Sequence, residues 1–125
     1  MTTTIHTDKA PAAVGPYAQG RKAGPFTFLS GQIAIDPATG AIPEAISAQA
    51  EQVMKNIAAL LAASGAAFDD IIKTTIFLTD LSSFGKVNDI YASFFTGALP
   101  ARSCVEVSAL PKGALVEIEC VVYKE

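Results

Sequence analysis

Two kinds of hydrophobic spacing alternate along the chain and predict five to six strands and two helices. Short β-prone runs that end at turn signals, such as Asp-Pro-Ala-Thr-Gly at 36–40, indicate strands. The run at 71–79, which is rich in β-branched residues, indicates another strand. The predicted strands are 17–22, 26–33, 71–79, a strand that carries Arg102, and 115–123.

Apolar residues at three- and four-residue intervals predict the helices. The first has its apolar stripe over 46–61, with Ser47 as its N-cap and Gly65 as the residue that stops it. The second covers about 83–95. The order β-β-α-β-α-β-β predicts an α+β fold in which both helices pack on one face of a mixed sheet, within one domain spanning 1–125.

The strand that carries Arg102 combines a cation, a thiol and a carboxylate. Because successive side chains of a strand alternate between faces, Arg102, Cys104 and Glu106 share one side. An arginine fork matches a carboxylate bidentately, so this segment is interpreted as a receiver for a small organic acid. The alternative is an arginine that reaches solvent or pairs with a surface acid.

The last strand supplies a candidate partner for Arg102. Its apolar residues alternate with Glu117 and Glu119, which therefore share one face. Two acids at this spacing also fit a face that is merely solvated. If the last two strands pair as a hairpin, we expect one of the acids to lie near Arg102 on the same sheet surface.

Four further residues, from three segments of the chain, are candidates for a binding site, and each segment also has a purely structural interpretation. Tyr17 offers a ring and a hydroxyl, but it also fits an aromatic packed beside a turn. Ser30 and Gly31 lie inside a strand, where a glycine either permits the close approach of a ligand or marks a bulge. Asn88 on the second helix either contacts a ligand or points to solvent.

The composition favours an assembly of several subunits. Half of the 125 residues are hydrophobic, only 17% are charged, and the mean hydropathy is +0.38. We therefore expect part of the surface to be apolar and covered by another subunit.

Charge and hydropathy also weigh against two classes of partner. The net charge is −3 and the lysines are scattered, so no basic stripe is present to follow the phosphates of a nucleic acid. No apolar run has the length of a membrane span, and the N-terminus lacks the apolar segment of a signal peptide. We expect a cytoplasmic protein with neither a nucleic-acid nor a membrane partner.

The residues that serve most nucleophilic and metal mechanisms are scarce. The single histidine, His6, lies close to the N-terminus, which disfavours a Ser-His or Cys-His nucleophile pair. Cys104 and Cys120 both fall inside predicted strands and cannot form a zinc site alone. No phosphate-binding loop or dinucleotide fingerprint is present.

Several segments carry a resemblance that extends over nearly the whole chain. They are Gly-Pro-Tyr-Ala-Gln at 15–19, Ser-Gly-Gln-Ile at 30–33 with the 36–40 turn, Lys-Val-Asn at 86–88 with Tyr91, Pro-Ala-Arg-Ser-Cys-Val-Glu-Val at 100–107, and Leu-Pro-Lys at 110–112 followed by Val-Glu-Ile-Glu at 116–119. In this order they resemble the RidA/YjgF family of small imine deaminases, and the segment at 100–107 is the most specific of them.

The resemblance implies a fold, an assembly and an activity. The fold would be chorismate-mutase-like, in a homotrimer whose sheets line a central barrel and whose active sites lie between subunits. The activity would be hydrolysis of 2-iminobutanoate and 2-iminopropanoate, reactive products of pyridoxal-phosphate-dependent dehydratases, to 2-oxo acids and ammonia. It would use no metal and no organic cofactor, and it would protect against these reactive metabolites.

The resemblance also implies a role for individual residues. Arg102 matches the arginine that clamps the substrate carboxylate, and Glu117 matches the acid that positions or activates water. Cys104 would line the pocket through its backbone. The remaining pocket-lining positions are Tyr17, Ser30, Gly31 and Asn88. The short connection at 96–99 departs from relatives with longer loops, which leaves the shape of the cleft and the substrate size open.

Two other functions remain as alternatives. The first is a non-catalytic trimer that binds small carboxylates or acts like a chaperone through the same clefts. The second is an endoribonuclease activity, which the acidic charge balance makes less attractive.

Overall fold

The computed structural model describes all 125 residues and contains a six-stranded mixed sheet with two helices packed on one of its faces. This confirms the predicted α+β fold. The strands are β1 (Thr2–Ile5), β2 (Gly20–Ala23), β3 (Phe26–Gln32), β4 (Ile71–Leu78), β5 (Ala101–Glu106) and β6 (Val116–Tyr123), and the helices are α1 (Ile46–Ala63) and α2 (Phe84–Ser93).

The strands lie in the order β1-β2-β3-β6-β4-β5. Every neighbouring pair is antiparallel except β4 and β5, which are parallel and are joined by α2 as a crossover. The last two strands therefore do not pair as a hairpin, which was the condition for bringing an acid near Arg102. The eight-residue β6 buries every second side chain and takes a central place between β3 and β4, whereas β5 buries no residue fully and forms the edge.

The core lies between the helices and the inner face of the sheet. Val53, Ile57 and Leu60 of α1 are almost fully buried against the sheet, which presents Val116 and Ile118. Each such side chain stabilises the fold by roughly 1.5–3 kcal/mol relative to an exposed position. The alternation that predicted this inner face of β6 is confirmed.

The elements differ from the predictions in two places and agree with them in a third. Helix α1 begins after Ala45, which is extended and makes no side-chain cap, so Ser47 is inside the helix rather than its N-cap. Gly65 does stop this helix, with a φ of 77°. Strand β1 was not predicted, because Ile5 is its one apolar residue and the segment therefore shows no alternation of apolar and polar positions.

Neither helix combines the length and the apolar character that a crossing of a bilayer requires.

Candidate functional site

Arg102 lies in a recess formed by one face of α2. Its Nη1 donates a hydrogen bond of 2.7 Å to Oδ1 of Asn88. Its Cζ lies 5.3 Å from the centre of the Phe84 ring and 5.2 Å from the centre of the Tyr91 ring. Ala92, Leu99 and Pro100 complete the lining of the recess. Arg102 forms no salt bridge with an acidic residue of the chain. The alternative in which Arg102 pairs with a surface acid is thereby excluded within one subunit.

Arg102 and Glu117 do not share a sheet surface. Arg102 is the register partner of Thr74, which is buried under the helices, so Arg102 lies on the helix-covered face. Glu117 alternates with the buried Val116 and Ile118 and therefore lies on the opposite face. The expectation that the two charges meet across one surface is wrong within a single chain, because β4 separates β5 from β6.

Glu117 lies in a second cleft, whose walls come from three segments. Tyr17 belongs to the strap between β1 and β2, Gly31 belongs to β3, and Lys112 follows β5. Burial raises the pKa of the Glu117 carboxyl above its usual range, and the neighbouring charge of Glu119 adds to this effect. The carboxyl is therefore a stronger proton acceptor than an ordinary exposed glutamate, which suits a base.

Of the two alternatives that the sequence left open for Gly31, the structure supports the bulge, and it adds a close contact with Glu117 that was not predicted. The register of β3 against β6 is irregular between Leu29 and Gln32, which indicates a bulge there. In addition, the carboxyl group of Glu117 lies directly over Gly31. A Cβ at this position would lie 2.9 Å from Cδ of Glu117 and would overlap its Oε2. The absence of a side chain at Gly31 thus makes room for the carboxylate.

Ser30 and Gln19 hold the strap that carries Tyr17. The Ser30 hydroxyl donates a hydrogen bond of 2.6 Å to the Ala18 carbonyl, so it is engaged with the backbone. The buried Gln19 side chain accepts from the Thr7 N–H at 2.8 Å and donates to the Thr7 carbonyl at 3.0 Å and the Pro11 carbonyl at 2.8 Å. The Gln19 side chain therefore connects the end of the strap to its beginning, at Thr7 and Pro11.

Lys112 is the only residue other than glycine with a positive φ, at 57°. Gly113 follows it with a φ of 68°, so two successive residues occupy the left-handed region. For a lysine this conformation is strained, and such strain concentrates at functional sites. The turn places Lys112 in the wall of the Glu117 cleft.

The two cysteines have different environments. Cys120 is buried, and burial raises the pKa of its thiol to about 12, which makes it inert. The Cys104 side chain packs against the core from the helix-covered face. The Val107 N–H donates to β4, and alternation along the strand then directs the backbone groups of Cys104 to the open edge of the sheet. This fits a role for Cys104 through its backbone.

The predicted site residues thus fall into two groups on two faces of the sheet. Arg102, Cys104 and Asn88 belong to the helix-covered face and its edge, whereas Tyr17, Gly31 and Glu117 line the other cleft. Ser30 lies outside that cleft, in a neighbouring pocket that shares Tyr17 with it. No group of three or more His, Cys, Asp or Glu side chains is placed to hold a metal ion.

Sequence reasoning did not assign a site role to Phe84, Tyr91, Gln19 or Lys112. The signal for the first two was present, because Phe84, Asn88 and Tyr91 are spaced i, i+4 and i+7 and so share one helix face. The signal for Gln19 was weak, since its hydrogen bonds connect segments that only the fold brings together.

The chain is similar to proteins of one family over nearly its whole length. The family model described as Endoribonuclease L-PSP matches residues 7–124. The protein DfrA of Myxococcus xanthus is 54% identical over 94% of this chain and 92% of its own length. A Salmonella typhimurium protein named 2-iminobutanoate/2-iminopropanoate deaminase is 49% identical over 99% of both chains. The crystal structure of Escherichia coli TdcF with bound serine, 42% identical, superposes with a TM-score of 0.96 over 98% of this chain and 99% of that one.

Proposed function

The chain belongs to the Endoribonuclease L-PSP family, which includes the RidA/YjgF proteins, and we propose that it hydrolyses 2-iminobutanoate and 2-iminopropanoate to 2-oxo acids and ammonia. The name of the Salmonella relative, which is 49% identical over almost the full length, supports this activity. The serine bound to the TdcF relative, itself a small amino acid, supports a site for substrates of this size. The proposed activity protects the cell from reactive imines and enamines.

The observation that carries the proposal is the environment of Arg102. Its guanidinium is held by Asn88 at 2.7 Å, lies between two aromatic rings and has no carboxylate partner in the chain. A half-buried, oriented guanidinium without an acid partner is suited to receive a carboxylate from a ligand. The 2-imino acids carry such a carboxylate directly beside the reacting carbon.

We extend the proposal to a site shared between two subunits of a homotrimer. Arg102 and Glu117 lie on opposite faces of one sheet, so one chain alone does not bring both to a small molecule. The large hydrophobics exposed near the two clefts, Val14, Tyr17 and Leu99, support contacts between copies. The Arg102 recess of one copy would then close over the Glu117 cleft of the next.

The proposed reaction is an addition of water to a carbon–nitrogen double bond. Arg102 binds the carboxylate and fixes the position of the imine carbon, which lowers the entropic part of the barrier. Glu117 accepts a proton from water as the water oxygen bonds to that carbon, and the nitrogen takes up a proton. In the resulting carbinolamine the hydroxyl then gives up its proton, the amino nitrogen takes up one proton, and the carbon–nitrogen bond breaks as the C=O bond forms, so that a 2-oxo acid and ammonia leave.

The test is imine hydrolysis measured against chemical trapping. A threonine dehydratase generates 2-iminobutanoate in the presence of semicarbazide, which traps the imine, and the yield of semicarbazone is followed with and without the protein. We expect the protein to lower the yield of trapped imine and an Arg102→Ala variant to leave it unchanged. An unchanged yield with the wild-type protein would refute the deaminase and favour the non-catalytic carboxylate-binding alternative.

The same preparation tests the remaining alternative, an endoribonuclease activity. The family description names an endoribonuclease, but the chain has a net charge of −3 and its recess carries one arginine rather than a basic stripe. We expect no cleavage of a single-stranded RNA.

Both cysteines are free thiols, which fits the reducing cytosol, and we propose that the protein acts there.

A further inference from the structure

Three side chains of α2 surround the guanidinium of Arg102 from different directions. Phe84, Asn88 and Tyr91 occupy positions i, i+4 and i+7, so they form one stripe of the helix. Phe84 and Tyr91 are two turns apart, and the guanidinium carbon lies 5.3 Å and 5.2 Å from their ring centres. Asn88 lies between them and accepts the hydrogen bond from Nη1. The guanidinium is therefore flanked by rings on two sides.

The Tyr91 ring is itself fixed in place. Its hydroxyl lies 2.7 Å from Oγ1 of Thr74, and both residues are buried. Burial raises the pKa of the Tyr91 hydroxyl, so it remains a neutral hydrogen-bonding group. Thr74 is also the residue of β4 that stands directly opposite Arg102 in the sheet. The strand neighbour of Arg102 thus anchors the ring on which its guanidinium rests.

Phe84 is placed differently, at the exposed first turn of α2. Its side chain is 39% exposed, and it lies at the start of the helix directly after a short turn. Phe84 is neither one of the buried core residues nor one of the partly buried hydrophobic residues that pack against the core, so its ring has no place in the core. The observed contact that distinguishes it is the one with Arg102.

We propose that Phe84 and Tyr91 are positioning residues that hold the Arg102 guanidinium ready for a substrate carboxylate, with Thr74 locking Tyr91. This inference rests on the proposed function for the identity of the substrate. The rings restrict the freedom of a long arginine side chain, so less conformational entropy is lost when a carboxylate binds. Asn88 uses its oxygen for Arg102 and keeps its amide N–H groups for the same carboxylate.

The arrangement also restricts the kind of anion that binds. Nη1 donates the one hydrogen bond that the guanidinium makes within the chain, so its other N–H groups are free to bind the two oxygens of a planar carboxylate. The recess next to it is walled by Leu99, Pro100 and Ala92. The site is thereby suited to a monocarboxylate with a short apolar side chain.

The experiment compares variants that remove or keep a ring beside Arg102. We measure KM and kcat with 2-iminobutanoate, and the Kd of the product 2-oxobutanoate by calorimetry. Phe84→Leu is expected to raise both KM and Kd about fivefold with kcat nearly unchanged, whereas Phe84→Tyr keeps the ring and restores wild-type values. Tyr91→Phe keeps the ring but frees it from Thr74, and it is expected to give a smaller increase.

The matched control is Phe94→Leu, which removes a ring just after α2 that packs on Phe68 and does not contact Arg102. We expect this variant to leave KM and Kd unchanged. In an Arg102→Ala background, Phe84→Leu is expected to have no further effect on Kd. An equal increase of Kd with Phe94→Leu, a failure of Phe84→Tyr to restore binding, or an undiminished effect without Arg102 would each overturn the proposal.

Failure of the proposed function would be distinguishable from failure of this inference. A wild-type protein that does not hydrolyse the imine refutes the deaminase activity. The binding measurement needs only a 2-oxo acid and Arg102, so a fivefold loss of affinity in Phe84→Leu still supports the positioning role. A wild-type protein that hydrolyses the imine but shows no difference between the Phe84 variants supports the deaminase and refutes the positioning.

Discussion

The Arg102 guanidinium and the Glu117 carboxylate lie on opposite faces of one sheet. Arg102 stands opposite the buried Thr74 and faces α2, whereas Glu117 points away from the helices and lies over Gly31. A substrate as small as an imino acid of four carbons does not bridge a sheet. The proposed chemistry therefore requires the arginine of one chain and the glutamate of another.

The opposite placement predicts that two inactive variants complement each other. Arg102→Ala and Glu117→Gln are each expected to lose imine hydrolysis, whereas a mixed assembly is expected to regain it. If subunits mix at random in equal amounts, about one quarter of the shared sites contain both intact residues. The measurement is activity after the two variants are unfolded and refolded together. Variants refolded separately and then mixed briefly serve as the control, and an inactive mixed assembly would contradict a shared site.

The elements of the fold followed from local patterns, but the order of the strands did not. The period of apolar residues located both helices, and the alternation along 116–122 identified the inner face of β6. The hairpin expectation failed because it assumed that strands close in sequence pair with each other. In the structure the crossover through α2 places β5 beside β4, and β6 pairs with β3 over a long sequence separation.

The residues of the candidate site could be predicted from the sequence, but their arrangement in space could not. Arg102, Asn88 and Glu117 were identified from residue type and resemblance, and the structure gives each of them a specific environment. The division into two faces depends on the strand order, which no local pattern contains. The hydrogen bonds of Gln19 likewise join segments that become neighbours only after folding.

Gly31→Ala is expected to reduce activity much more than stability. The added methyl group would overlap the carboxyl group of Glu117, whose Cδ would be 2.9 Å away, so this side chain must rotate out of place. A displacement of about 1 Å in a catalytic group is enough to cost up to about 100-fold in rate. The measurement is kcat/KM for 2-iminobutanoate beside the midpoint of thermal unfolding.

The control for Gly31→Ala is Gly85→Ala on α2. Nothing lies within 4 Å of a Cβ at Gly85, so alanine fits there without displacing a neighbour. Because alanine is the better helix former, this variant is expected to be more stable by about 0.5–1 kcal/mol with unchanged activity. Equal losses of activity in both variants would show that the effect at Gly31 does not arise from Glu117.

The pH dependence of activity is expected to respond to Glu119. A base acts in its deprotonated form, so kcat/KM falls as the pH drops through the pKa of Glu117. The charge of Glu119 contributes to raising this pKa, and Glu119→Gln removes that contribution. The acid limb is therefore expected to move to lower pH.

The imine substrate has the same protonation at a given pH with the wild-type protein and with Glu119→Gln. A difference between their two pH profiles therefore arises from the protein. Glu44→Gln, which removes a charge from an exposed loop, is the matched control and is expected to leave the acid limb in place. An acid limb that does not move with Glu119→Gln, or that moves to higher pH, would exclude Glu117 as the group that titrates there.

Gln19→Leu is expected to destabilise the strap that carries Tyr17 and to raise KM. The glutamine side chain is buried and bonds to the backbone of Thr7 and Pro11, so leucine leaves these groups without partners. Each buried group left unpaired costs about 1–3 kcal/mol. Hydrogen exchange is expected to accelerate over residues 7–18 and to stay slow in β6.

Gln52→Leu removes a glutamine with a single side-chain hydrogen bond on α1, and this control is expected to change neither the strap nor KM. Unchanged exchange in the strap of Gln19→Leu would show that other contacts hold this wall of the cleft.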